Sequence, residues 1–382
     1  MATAARIDVK DRDLLAAFRE FLSNLLQLED IRAVLVPQQL PMKNTVMPVL
    51  ITDPEHLDGV DPFSPAFPLN SSKVLSKLSR KPIGAKIAAV MRPCEIRAFV
   101  ELVKLKQGQP QELIIIGIDC LGAVRNTDYP RLVGDDPDRS SLEFTRKALS
   151  GETAGAEGID LATACRACEH PSAEGADIAI GLLGVDIDQE LLVISQTEKG
   201  EDLLSRLELP SAAVSDKRAA AVAALVEKRT ARRDEMFAET RAATDDLEKL
   251  TAYLAGCVNC YNCRVACPVC YCKECVFVTD VFNHEPSQYL QWALRKGAVK
   301  MPTDTVFYHL TRLAHMSTAC VGCGQCSNAC PNDIPVMELF RMVAHRTQGA
   351  FDYLAGRSYD EKPPLSEFRE DEFKEVVGIG AN

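Results

Sequence analysis

Between Asp11 and Leu28 the apolar residues Leu14, Leu15, Phe18, Phe21, Leu22, Leu25 and Leu26 recur at helical spacing, which predicts an amphipathic helix. Short apolar runs follow at Ala33 to Val36 and Val46 to Ile51 and read as strands. A second cycle has Lys86 to Met91 as a buried strand, Pro93 to Lys106 as a helix and Glu112 to Ile118 as another strand, a β-α-β pattern. Ala176 to Gly184 is rich in small residues, and Leu191 to Ile194 is a further strand. From Ser211 to Ala255 there is no Gly or Pro, and Ala, Lys, Arg and Glu predominate. That stretch predicts one or two long helices bridging two halves of the chain. Helical patterns return at Pro286 to Arg295, Phe307 to Met316 and after Pro335. The fold class expected is an α/β domain over 1–210, a helical linker over 211–255, an α-helical domain over 256–350 and an extended C-terminal tail over 351–382.

Composition narrows the function. With 382 residues, 47% of them hydrophobic, the chain buries ample cores and needs no disulfides to fold, yet it carries 15 cysteines, an odd number that cannot all pair. No secretory leader pattern follows Met1, and no apolar run is long enough to span a bilayer. The expected setting is therefore a reducing cytoplasm, in which cysteines stay thiols or bind metal. The net charge of -11 argues against nucleic acid as a partner. Thirteen acidic residues against three basic ones lie within 151–210, which reads either as a solvated face or as a docking face for a basic partner.

Eleven of the cysteines fall beyond residue 255. Cys257, Cys260, Cys263 and Cys267 followed by Pro268 form a C-x2-C-x2-C-x3-C-P run, and Cys320, Cys323, Cys326 and Cys330 followed by Pro331 repeat it. In such runs three closely spaced thiolates wrap one 4Fe-4S cubane and the fourth ligates the other cluster. The expected ligand sets are thus Cys257, Cys260, Cys263 and Cys330 for one centre, and Cys320, Cys323, Cys326 and Cys267 for the other. A pair of zinc sites would leave the duplicated x3-C-P unexplained. Fifty-two residues separate Cys267 from Cys320, which suits a helical ferredoxin. Gly322 and Gly324 are expected where backbone turns tightly against sulfur. Cys270, Cys272 and Cys275 stand outside both sets. They read as a further cluster, completed by Cys267, His284, His309, His315 or Asp333, or as a small zinc site. In the first half, Cys94, Cys120, Cys165 and Cys168 make up the number for one more 4Fe-4S centre; a redox dithiol at Cys165 and Cys168 is the alternative.

Several segments carry a family resemblance: Arg92-Pro-Cys-Glu-Ile-Arg-Ala-Phe-Val-Glu-Leu, Ile116-Gly-Ile-Asp-Cys-Leu-Gly, Cys165-Arg-Ala-Cys-Glu with Ala176-Asp-Ile-Ala-Ile-Gly, the run Cys257 to Cys275, and Phe307-Tyr-His-Leu-Thr-Arg-Leu-Ala-His-Met leading into Cys320-Val-Gly-Cys-Gly-Gln-Cys. Over residues 30 to 340 the chain resembles the formate dehydrogenase beta subunits, within the wider family of beta subunits of deazaflavin-coenzyme-reducing hydrogenases and dehydrogenases. The resemblance implies FAD in the α/β domain beside the Cys94, Cys120, Cys165 and Cys168 cluster. No G-x-G-x-x-G follows a strand, so a family-specific fold would hold it. Candidate flavin contacts are Asn70, Ser71, Ser72, Lys73, Asp177 and Gly181, each of which also reads as ordinary loop structure. Family members that reduce deazaflavin carry a glycine-rich amino-terminal segment that is not visible ahead of Arg92-Pro-Cys, which leaves the acceptor open between deazaflavin and another carrier.

The ferredoxin part, with Phe351-Asp-Tyr-Leu-Ala-Gly-Arg-Ser, also resembles the small iron-sulfur subunit of heterodisulfide reductases, which implies a flavoprotein partner of that type. No motif for molybdenum, tungsten or nickel chemistry is present, so a catalytic partner subunit is expected. The reading is an electron-transferring oxidoreductase subunit, with a flavin-free iron-sulfur relay as the alternative.

Overall fold

The computed structural model describes residues 3–41, 44–152 and 158–367. Among these residues seven strands, β1 (Ala4–Asp8), β2 (Ile31–Gln39), β3 (Val46–Ile51), β4 (Lys86–Met91), β5 (Leu113–Ile118), β6 (Ile178–Gly181) and β7 (Glu190–Ser195), form one mixed sheet in the order β1-β7-β6-β5-β4-β2-β3. The centre, β2-β4-β5-β6, is parallel, and the antiparallel pairs lie toward the edges. β5 is buried along its whole length, as expected of a parallel strand covered on both faces. The Leu14–Leu26 helix, capped by the Asp13 carboxylate, seals one face with Phe18, Leu22 and Leu25. The Ser72–Leu78 and Pro93–Lys104 helices seal the other with Leu75, Ile96 and Phe99.

The linker resolves into two helices, Asp216–Ala242 and Leu247–Tyr253. The long one is not a free span. Arg218 and Arg229 are buried against the sheet, whereas Met236 and Phe237 enter the second core. The remainder is helical, with Pro286–Lys296, Thr305–Met316 and Val336–Ala350 as its principal helices. Its core includes Ala98, Ala164 and Ala167 from the α/β half, so the two halves share apolar packing.

Residues expected as an extended tail are docked in part. Tyr353 and Ala355 are buried, the Tyr353 hydroxyl donates to Glu101 Oε1 at 2.6 Å, and Gly356 N donates to the same oxygen at 2.7 Å. The end of the chain, 368–382, lies outside the described residues. No described helix is long and apolar enough to cross a membrane.

Candidate iron-sulfur centres and an adjoining cavity

β4 and β5 deliver the first group of thiols at their carboxyl ends. Pro93 takes the first helical position, where a missing N–H costs nothing. Glu95 ties down the turn by accepting from Arg92 N at 2.9 Å and from Ser71 N at 2.6 Å, which fixes Cys94 in the first turn. After β5, Asp119 accepts from Leu182 N at 2.9 Å and Leu183 N at 3.1 Å. Its carboxylate is gripped by both terminal nitrogens of Arg218, so the residue before Cys120 is immobilised. Arg229 donates to the carbonyls of Cys120 (3.2 Å) and Leu121 (2.9 Å). The short Thr163–Arg166 helix brings up Cys165 and Cys168. All four sulfurs, Cys94, Cys120, Cys165 and Cys168, line one cavity with Arg92, His170, Arg229 and Cys323. Burial pushes the Cys165 thiol up to about 11, and Cys120 beside it adds to the effect. Burial and the nearby Arg97 hold His170 down at about 3, so its imidazole is neutral at physiological pH.

In the helical half, Cys257, Cys260, Cys263 and Cys330 line a second cavity with Tyr308, His309 and Val336. Donors crowd its sulfurs. His309 Nε2 and Asn259 N each lie 3.4 Å from Cys257 Sγ, and the Tyr308 hydroxyl and Arg312 Nη1 lie 3.4 and 3.1 Å from Cys263 Sγ. The third group is Cys267, Cys320, Cys323 and Cys326. Burial raises these thiols, and neighbouring thiols add to the rise at Cys267, Cys323 and Cys326; the backbone amides of Val269, Gly322 and Gln325 oppose it at Cys267, Cys320 and Cys323 in turn. The fourth cysteine of each run therefore lies with the other run's three. Gly324 has φ +80, and a Cβ there would stand 2.4 Å from that of Ala164, next to Cys165.

Chemically these are all-thiol donor sets. Buried bare thiols keep their protons, and iron held by these thiols would take the place of those protons. No three His, Cys, Asp or Glu side chains among the described residues close on a single ion, and thiolates at the corners of a cubane do not need to.

The other sequence candidates are placed as follows. Burial pushes Cys270 up to about 11 beside Cys267, and Cys272 is exposed. His309 stands at Cys257 instead, His284 packs between Tyr289 and Trp292, His315 is exposed, and Asp333 pairs with Arg125. Asn70 binds Ser72 through its side-chain oxygen and faces the Cys323 thiol. Lys73 donates to the carbonyls of Val265 and Cys267, tying the two halves together. Asp177 is occupied by Ile115 N and the Thr197 hydroxyl, and Gly181 makes room for Arg218.

A further, small cavity of about 20 Å³ opens at the carboxyl ends of β4 and β5, lined by Phe63, Ser64, Arg92, Asp119, Cys120 and Phe144 among others. None of the six candidate flavin contacts lines it. Sequence reasoning assigned no role to Arg92, Arg218, Arg229 or Arg312, although Arg92 and Arg312 lie within segments that carry the family resemblance. For Arg218 and Arg229 the signal was their eleven-residue spacing, three helical turns and hence one face.

Residues 84–213 match the family described as the carboxy-terminal part of the coenzyme F420 hydrogenase/dehydrogenase beta subunit, and residues 315–336 match a 4Fe-4S binding domain. The F420-dependent formate dehydrogenase subunit beta of Methanocaldococcus jannaschii is 26% identical over 347 residues, covering 84% of this chain and 85% of that one. The beta subunit of F420-dependent formate dehydrogenase 1 from Methanococcus maripaludis is 27% identical over 307 residues, covering 73% and 75%. Among solved structures, a chain of the F420-reducing NiFe hydrogenase complex of Methanosarcina barkeri aligns with a TM-score of 0.47 and 13% identity, over 64% of this chain and 94% of that one.

Proposed function

From its relation to the beta subunits of F420-dependent formate dehydrogenases, we propose that this chain is an iron-sulfur electron-transfer subunit of a dehydrogenase complex, carrying electrons between a catalytic partner and a two-electron acceptor. The observation that carries the reading is the succession of sites. The Cys257 group adjoins the Cys267 group through the crossed runs, and Cys323 of the latter lines the cavity of the Cys94 group. Cys120 of that group in turn lines the cavity at the strand ends. Three 4Fe-4S clusters in these places would form one continuous path.

Cys260 is the exposed end of the path, and Val276, Val278, Val281, Leu290, Leu294 and Phe307 in the same half are exposed apolar side chains. This end suits the catalytic partner. At the other end Phe63 and Phe144 are apolar and Ser64 and Arg92 polar, but the roughly 20 Å³ they enclose admits no flavin ring as they stand, so the FAD proposed for this end rests on the family resemblance and requires these side chains to part. A flavin supplies the exchange between electron pairs and single electrons. The acceptor we favour is a deazaflavin coenzyme, and a heterodisulfide-reductase-type flavoprotein is the competing acceptor. The protein's own residues bind and orient here: Arg92 is held by the carbonyls of Ser64 and Ala66, both at 2.7 Å, and Phe67 lies under its guanidinium.

The test is iron, acid-labile sulfide and releasable flavin in the complex isolated anaerobically with its partners. The reading expects roughly twelve irons per chain and one flavin. A colourless chain holding zinc and no sulfide would refute it, and iron and sulfide without flavin would leave a one-electron relay.

A further inference from the structure

Two consecutive carbonyls of the second ferredoxin run, those of Cys320 and Val321, lie in irregular backbone just ahead of Cys323. Buried carbonyls outside helix and sheet need donors from elsewhere, and here two side chains supply them. Arg97 Nη1 donates to the Val321 carbonyl at 3.2 Å, and Gln348 Nε2 donates to the Cys320 carbonyl at 3.0 Å. The same two side chains hold one residue of the tail. Arg97 Nε donates to the Ala355 carbonyl at 3.0 Å, and Ala355 N donates to Gln348 Oε1 at 3.1 Å. Arg97, Ala355, Gln348 and the Cys320–Val321 backbone thus close a ring. Ala355 is fully buried, and Arg97 and Gln348 are buried with it. Each bond of the ring joins a side chain to backbone, and none involves a sulfur.

The ring ties together two cysteine groups. Arg97 lies three residues beyond Cys94 on the Pro93–Lys104 helix, one turn along the same face. On the other side, the gripped carbonyls lead directly into Cys323, which lines the cavity of the Cys94 group. Glu101, a further turn along the helix, brings the tail into place by accepting from the Tyr353 hydroxyl at 2.6 Å and from Gly356 N at 2.7 Å. A Cβ on Gly356 would stand 2.4 Å from the Arg97 Cα, so tail and helix are in close contact at this point.

We propose that Arg97 and Gln348 are positioning residues for electron transfer, with Ala355 wedged between them, and that together they set the spacing between the Cys94 cluster and the cluster of Cys267, Cys320, Cys323 and Cys326. This rests on the iron-sulfur reading above. Electron transfer between clusters depends steeply on their separation, and backbone without helix or sheet bonds of its own does not hold a separation by itself. The ring supplies that restraint from the helix that carries Cys94. It also gives the Phe351–Ser358 stretch a task in the electron path, although it lies beyond the last cysteine and carries no ligand. Spacing and charge are separable here: spacing changes the rate of transfer, whereas the charge of Arg97 would change a potential.

The experiment uses the complex isolated anaerobically with its partners and compares wild type with R97K, Q348L and the control G349A, after iron and sulfide have been measured in each. R97K keeps the charge and loses the two-pronged grip; Q348L leaves Arg97 intact and removes the other half of the ring. EPR-monitored titration gives the potentials, the splitting of the reduced signals gives the magnetic interaction between clusters, and freeze-quenched EPR after rapid reduction gives the rate of crossing. In R97K and Q348L the potentials should match wild type, and the splitting between the Cys94 cluster and its neighbour should shrink. The crossing between those two should slow about tenfold, while the two ferredoxin-type clusters stay coupled as in wild type. G349A, with open space at its Cβ, should match wild type throughout. Unchanged splitting and rate in R97K or Q348L, or an equal loss in G349A, would overturn the inference. A moved potential with the splitting intact would mark a charge effect and overturn it too. If one variant does not retain iron the other decides, and loss of iron from both shows contacts that build the sites instead of spacing them, which refutes it. A wild-type chain without iron and sulfide overturns the iron-sulfur reading and this inference with it, whereas iron in place with unchanged splitting overturns the inference alone.

Discussion

The bond between Asp119 and Arg218 permits a worked prediction, because it joins the linker helix to the residue preceding Cys120. The Asp119 side chain is fully buried and that of Arg218 is 10% exposed, so solvent screens the pair little. Removing one partner of such a pair costs about 3–5 kcal/mol, because the other charge is left buried and alone. The two deletions are not equivalent. Asp119→Ala also orphans the amides of Leu182 and Leu183, which adds about 1–3 kcal/mol per buried donor and puts this variant at or above the top of the range. Arg218→Met leaves Asp119 those two donors and belongs near the bottom. The double variant removes both charges at once and should cost less than the sum of the singles by about 2–3 kcal/mol. Space confirms how closely Arg218 is fitted: a Cβ on Gly181 would lie 2.8 Å from Nη1, and one on Gly184 2.6 Å from the Arg218 Cα. Thermal and urea unfolding of the four proteins gives the cycle, and iron analysis gives its consequence, since a displaced Cys120 should lower the iron content from roughly twelve to roughly eight per chain. Additive costs, or Arg218→Met proving the more damaging single change, would refute the argument.

Two further outcomes follow from single residues. Asp61 is fully buried, accepting from Ser141 at 2.6 Å and Gln39 at 3.2 Å, with Asp138 and Arg19 facing it; burial raises its pKa from 3.8 to about 6. The folded state thus holds this proton longer than the unfolded chain does, so its contribution is full below pH 3.8, declines as pH rises to about 6 and is flat beyond. Asp61→Asn should therefore be more stable than wild type by up to about 3 kcal/mol at pH 8, with roughly half of that advantage gone at pH 5; urea midpoints at the two pH values that show no difference would refute it. Gly356 has φ +80, and a Cβ there would strike the Arg97 Cα at 2.4 Å, so Gly356→Ala should lower the melting temperature, with about 1–3 kcal/mol lost to strain. Gly349→Ala, in open space near the end of the Val336–Ala350 helix, should raise it slightly as a control.

Much of the sheet was legible because β4 and β5 are continuous apolar runs bounded by turns, and the Leu14–Leu26 helix because its stripe is unbroken. β1 was not, since Ala4–Asp8 is short, carries Arg6 and Asp8, and becomes a strand by pairing with β7, nearly two hundred residues away. Cysteine spacing marked out the two duplicated runs, because the spacing within a run is local and needs no long-range contact to be read. The arginines beside them were invisible for the opposite reason. Arg229 and Arg312 reach their partners across more than forty residues of chain, and nothing near them in sequence marks them as buried. The docking of the tail was missed on similar grounds: the Phe351–Ser358 stretch docks through Glu101 and Lys104 of a distant helix.

The acidic segment around Cys165 and Cys168 shows how the two halves are held. Of the two readings of its charge, solvated face or docking face, neither describes Glu169, whose carboxylate turns inward to Arg341 and Arg233. Burial opposes its ionisation, but Arg341, His170 and Arg233 hold it at about 2. Arg341 comes from the helix that packs on the second ferredoxin run, and Arg97, beside Cys94, donates to the carbonyls of Val321 (3.2 Å) and Ala355 (3.0 Å). These bonds cross the seam on either side of Cys323, where the cavity of the α/β cysteines meets the ferredoxin cysteines. Tunnelling between clusters is sensitive to distance, and a hinge at this point would make transfer intermittent. On the proposed electron-transfer reading, a charged, buried and multiply bonded seam would fix that distance, and Glu169 contributes to it from inside the protein.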